Sequence, residues 1–126
     1  MDKPRILSVG QCSFDHGMIS RHLRTIYGAE VVGANAVGEA LVSLRAGNFD
    51  VVLINRILDA DGTPGIELIR AIKAEPDLAA IPVMLVSNYE DAQMEAQSVG
   101  AVPGFGKTDL LQKTVPALEA IFAKAV

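Results

Sequence analysis

At 126 residues the chain is long enough to bury roughly two thirds of its unfolded surface without disulfides or metals. Its net charge of -4, with arginines scattered among acids, argues against nucleic acid or a membrane surface as the main partner. The single cysteine, Cys12, excludes an internal disulfide, and no apolar run approaches a membrane span, so the expected compartment is the cytoplasm.

Two hydrophobic patterns alternate along the chain. Residues 6–9 form a short apolar run closed by Gly10 and predict a strand; residues 14–27 space apolar side chains three and four apart and predict a helix. A second strand is expected over 30–32 and a second helix over 37–46. The run 51–54 reads as a buried strand ending at Asn55, followed by a helix over 66–75 that carries Ile66, Ile69 and Ile72 on one face. Residues 82–86 and 101–105 predict the last two strands, with a helix over 91–99 between them. The C-terminal stretch to Ala125 places Leu118, Ile121 and Phe122 at helical spacing. Proline is tolerated only in the first turn, so this helix is expected to start near Thr114, its N-cap, just before Pro116; residues 109–112 form a separate turn.

Five strand-then-helix units with short connections imply a parallel sheet covered on both faces by right-handed crossovers. The expected architecture is a flavodoxin-like (βα)5 three-layer α/β sandwich of strand order 2-1-3-4-5, one domain over 1–126 with no attached output domain. In such sheets ligands gather at the carboxyl ends of the strands. The residues expected there are Gly10, Gln11 and Cys12 after the first strand, Asn55 and Arg56 after the third, Ser87 and Asn88 after the fourth, and Lys107 after the fifth.

These segments carry a resemblance. RILSVGQ, GEALVSLRAG leading into NFDVVLIN, IPVMLVSN and AQSVGAVPGFGK make the chain similar to the receiver domains of two-component response regulators (CheY-like) over nearly its whole length. The resemblance implies transfer of a phosphoryl group from a phosphohistidine to an aspartate at the third strand end. It also implies an acidic pair that helps bind magnesium, a Ser or Thr and a Lys that contact phosphoryl oxygens, and an aromatic switch residue three before the lysine. Gly10 and Gln11 stand at the acidic pair, Asn55 at the phosphoacceptor, Ser87 and Lys107 at the phosphoryl contacts, and Gly104 at the switch aromatic. Phe105 is adjacent, but strand alternation points it to the opposite face. Thr108 follows the lysine where the family usually has a proline with a cis bond, so a trans peptide and a reshaped loop are expected.

An amide has no nucleophilic lone pair and carries no charge for a cation, and magnesium usually requires carboxylates. No catalytic residue and no magnesium site are therefore expected, and the chain reads as a pseudo-receiver rather than an enzyme. The resemblance implies that it would signal through protein contacts on the face of the fourth helix, fifth strand and fifth helix, where small residues such as Ala117, Ala120 and Ala123 make a homodimer one candidate assembly. Phosphorylation of Asp59 or Asp61, in a loop about two residues longer than the family pattern, is one alternative. A small-anion or metabolite sensor using Lys107, Ser87 and Gln11 in a site of net positive charge is the other.

Simpler roles stand beside each of these. Asn55 can hold its loop, Ser87 can cap the next one, and Lys107 can pair with Asp59, Asp61 or Asp15. Cys12 is expected to be small and buried, His16 and His22 solvated, and Met18, Met84 and Met94 core fillers. Reversion of the acceptor alone, Asn55→Asp, is expected not to restore phosphorylation, and the triple change with Gly10→Asp and Gln11→Asp is the candidate for restoring it.

Overall fold

The computed structural model describes residues 3–111 and 115–124. In chain order the elements are β1 (Arg5–Val9), α1 (Ser13–Tyr27), β2 (Glu30–Ala34), α2 (Val37–Ala46), β3 (Val51–Asn55), α3 (Gly65–Ala74), β4 (Val83–Val86), α4 (Glu90–Ser98), β5 (Val102–Phe105), a 3-10 turn (Lys107–Leu111) and α5 (Pro116–Lys124). All strand pairs are parallel and the order is β2-β1-β3-β4-β5, a flavodoxin-like sheet. Among the described residues no helix is long and apolar enough to cross a membrane.

Strand alternation divides the core in two. Leu7, Val9, Val52, Ile54, Val83 and Leu85 face one way and pack with Ala40 and Leu44 of α2, Leu68, Ile69 and Ile72 of α3, and Ala96 of α4. Ile6, Val51, Leu53, Met84, Val86 and Phe105 face the other way and pack with Ile19 and Leu23 of α1 and Leu118 and Phe122 of α5. β3 is buried on both faces along Val51–Ile54, which is why it reads as an unbroken apolar run. Burying each such side chain contributes about 1.5–3 kcal/mol, so the sheet centre anchors whatever its strand ends carry.

The helix ends follow local chemistry. α1 stops at Gly28, whose φ of 65° suits glycine and whose N–H donates back to the carbonyls of Arg24 and Leu23. α5 begins with Pro116 in its first turn, as expected; Thr114 lies outside the described residues. The start of α5 is tied to α1, because the Tyr27 hydroxyl accepts from the Val115 N–H at 2.8 Å and its ring meets Phe122 edge-on at 5.2 Å. Burial raises the Tyr27 pKa above the usual phenol value.

Four side-chain assignments differ from the sequence expectation. Met94 is 65% exposed on α4, whereas Met84 is buried in the core and Met18, partly buried, packs against it. His16 lies against Gly33 with its Nε2 at 3.3 Å from the Ser20 hydroxyl, and His22 Nε2 is buried, so neither ring is simply solvated. Cys12 is half-buried and caps α1, its Sγ accepting from the Asp15 N–H at 3.4 Å.

Candidate functional site

The carboxyl ends of β3, β4 and β5 meet around a hollow of about 420 Å³ lined by Asn55, Arg56, Ile57, Val86, Ser87, Asn88, Tyr89 and Lys107. Beside it, at the carboxyl end of β1, Asn55 is held by Gly10. This residue has a φ of +77°, a conformation L side chains rarely adopt, and its carbonyl accepts from Asn55 Nδ2 at 3.0 Å and from the Asp59 N–H at 2.9 Å. A Cβ built on Gly10 would overlap Leu58 Cδ2 and come within 2.9 Å of Leu58 Cα. The β3–α3 loop is therefore seated on residue 10, in space that a side chain there would need.

Asn55 is held at both ends of its amide. Its two Nδ2 protons go to the carbonyls of Gly10 and Ile57, the latter at 2.8 Å, and Oδ1 accepts from the Arg56 N–H at 3.1 Å. Two acceptors on one side and one donor on the other fix the orientation of the amide. A carboxylate in the same place would set an oxygen against two carbonyl oxygens.

The β3–α3 loop is more than a solvated turn. Leu58 is fully buried, its N–H donates to the Thr63 carbonyl, Gly62 N–H donates to Leu58, and Gly65 N–H closes the loop on Arg56 at 2.7 Å. The Asp61 carboxylate accepts from the Thr63 N–H at 3.0 Å, which holds its pKa below the usual carboxylate value. Asp59 and Asp61 are exposed and neither partners Lys107.

That partner is Asp15, in the first turn of α1, with Lys107 Nζ at 2.5 Å from Oδ2. The hydrogen bond from Lys107 lowers the Asp15 pKa, against a raising contribution from burial. The pair matches the lysine charge within the fold and leaves the Arg56 guanidinium as the other cation lining the hollow. Ser87 Oγ accepts from the Tyr89 N–H at 3.1 Å and caps its loop. Thr108 follows through a trans bond, there being no cis peptide among the described residues, and its hydroxyl donates to Asn88 Oδ1 at 3.1 Å.

Gln11 is only 7% exposed, and both polar atoms of its side chain lack a hydrogen-bond partner among the described residues. Replacing such a group by an apolar one of similar shape is neutral or stabilising. Gln11→Met is expected to leave thermal stability unchanged or raise it by up to about 1 kcal/mol; a clear fall in melting temperature would show that the amide is engaged.

As a donor set these residues do not fit a divalent cation. Positions 10, 11 and 55 supply no carboxylate, the Asn55 amide oxygen already accepts from the Arg56 N–H, and Asp15 is paired with Lys107. Two features were not expected from sequence. The Arg56 guanidinium stacks over the Tyr89 ring at 5.0 Å, joining the third strand end to the start of α4. Gln93 on α4 reaches back to the backbones of β4 and β5.

No family model and no curated protein sequence matches the chain. Solved structures do. A putative response regulator from Chloroflexus aurantiacus J-10-fl superposes with a TM-score of 0.82 at 20% identity, covering 97% of this chain and 99% of that one. A response regulator from Thermotoga maritima gives 0.77 at 21%, covering 96% and 98%. The chemotaxis response regulator CheY4 of Vibrio cholerae gives 0.75 at 21%, covering 94% and 98%. The chain thus has the fold of the CheY-like receiver structures over almost its whole length.

Proposed function

We propose that this chain is a receiver-type signalling module that works through protein contacts and is not phosphorylated on aspartate. One observation carries the reading: at the position matching the family phosphoacceptor, the Asn55 amide is spent on the Gly10 and Ile57 carbonyls and the Arg56 N–H. In this reading Gly10 and Gln11 stand where the acidic pair would be, Ser87 and Lys107 are inherited phosphoryl contacts turned to structural use, and Gly104 replaces the switch aromatic. Magnesium has no role. The hydrogen bonds of Asp61 and the seat of the loop on Gly10 speak against a displaced acceptor, and the Asp15 pair speaks against an anion sensor built on Lys107.

Output is assigned to α4, β5 and α5. An apolar recess lined by Pro82, Met84, Val102, Pro103, Ala117, Ala120 and Ile121 lies beside α5 and supports this face as the contact surface. Incubation with acetyl phosphate and magnesium is expected to yield no base-labile phosphoryl adduct by intact-mass analysis. An adduct on Asp59 or Asp61 would establish the displaced-acceptor reading instead. In partner capture, Glu95→Lys is expected to weaken binding and Lys107→Ala to leave it unchanged; the reverse pattern would move the function into the hollow.

A further inference from the structure

α4 is nine residues long, and only Ala96 is fully buried on it. So small an apolar face contributes little to holding a helix in place. The sheet beneath it is also irregular, because Met84 pairs with Val102 and Val86 with Phe105, leaving Pro103 and Gly104 opposite the single residue Leu85. Such a bulge strands ladder groups, and buried backbone groups without partners cost about 1–3 kcal/mol each.

Gln93 supplies the partners. Its Nε2 donates to the Leu85 carbonyl at 2.8 Å and to the Ser87 carbonyl at 3.0 Å, while its Oε1 accepts from the Gly104 N–H at 3.2 Å. Three backbone groups, on β4, on the residue that follows it and on β5, are thus held by one side chain from the helix above. The arrangement requires glycine at 104, since a Cβ there would overlap the Leu85 carbonyl oxygen and sit 2.9 Å from Gln93 Oε1.

We propose that Gln93 is a positioning residue that clamps α4 to the β4–β5 bulge, so that the exposed Tyr89, Met94 and Glu95 are presented in one fixed arrangement. Its bearing on output rests on the reading of α4 as part of the contact surface; the clamp itself does not. Replacement of the neutral amide separates its parts. Leucine keeps the bulk and removes all three bonds, whereas glutamate keeps an acceptor for Gly104 and sets an oxygen against two carbonyls.

The test is native-state hydrogen exchange on the full chain, read element by element. In Gln93→Leu and in Gln93→Glu at neutral pH, the α4 amides are expected to exchange about tenfold faster or more, with β1 and β3 nearly unchanged. Gln97→Leu, which removes an exposed amide on the same helix, is the control and should leave α4 protection as it is. Within Gln93→Glu, protection corrected for intrinsic exchange rates should partly return as pH falls and the carboxyl regains a proton to donate. Unchanged α4 protection, a uniform loss over all elements, or no pH response in the glutamate variant would overturn the clamp. Phosphoryl labelling of the parent chain would overturn the proposed function and leave this result standing.

Discussion

Gly10→Ala is expected to lower the free energy of unfolding by about 2–5 kcal/mol, combining left-handed backbone strain of about 1–2 kcal/mol with about 1–3 kcal/mol for overpacking. Gly62 separates the two contributions. It has a similar φ, +74°, but a Cβ there would meet nothing within 4 Å, so Gly62→Ala should show the strain alone. Urea denaturation of both variants measures the difference directly. Equal losses would mean that the loop moves aside at no cost and that the seat of Leu58 on residue 10 is not a constraint. Gly10→Asp asks for more room in the same place and should lose more. The triple reversion suggested by the family pattern restores the missing carboxylates and is therefore opposed by the packing of the β3–α3 loop on residue 10.

Asn55→Asp should cost about 2–3 kcal/mol at neutral pH, through two lost hydrogen bonds and a carboxylate oxygen facing two carbonyls. The sign of its pH dependence follows from those neighbours. They favour the protonated carboxyl, which can donate to one of them, so the folded-state pKa lies above the unfolded value of about 3.9. The variant's deficit relative to the parent is then full above the folded pKa and shrinks as pH falls through it toward the unfolded value. Thermal melts of parent and variant at neutral and mildly acidic pH check this. A deficit that stayed constant or grew on acidification would show that residue 55 turns away from the two carbonyls.

Much of this architecture is legible in the residues because burial on both faces leaves an unbroken apolar run, as over Val51–Ile54, and one-sided burial leaves a three-four spacing, as at Ile69 and Ile72. The strand ends were legible as a group for the same reason. Which acid meets Lys107 was not: Asp15 lies 92 residues away, and only the tertiary fold, which brings the first turn of α1 to the residues after β5, selects it over Asp59 and Asp61. Met94 was misplaced because spacing reports a helix without saying which flank faces the sheet. Gln93 left no mark, since its partners are backbone groups exposed by a register shift that no side-chain pattern encodes.

β5 is the outer strand of the sheet, and outer strands are where chains template one another into extended assemblies. Here Pro103 has no N–H to offer, and the Gly104 N–H is already taken by Gln93. Two of the four residues along Val102–Phe105 thereby offer no N–H to an incoming strand. Growth of the sheet past this border is discouraged by the same bulge that seats α4, so any association on this side would be left to helix side chains.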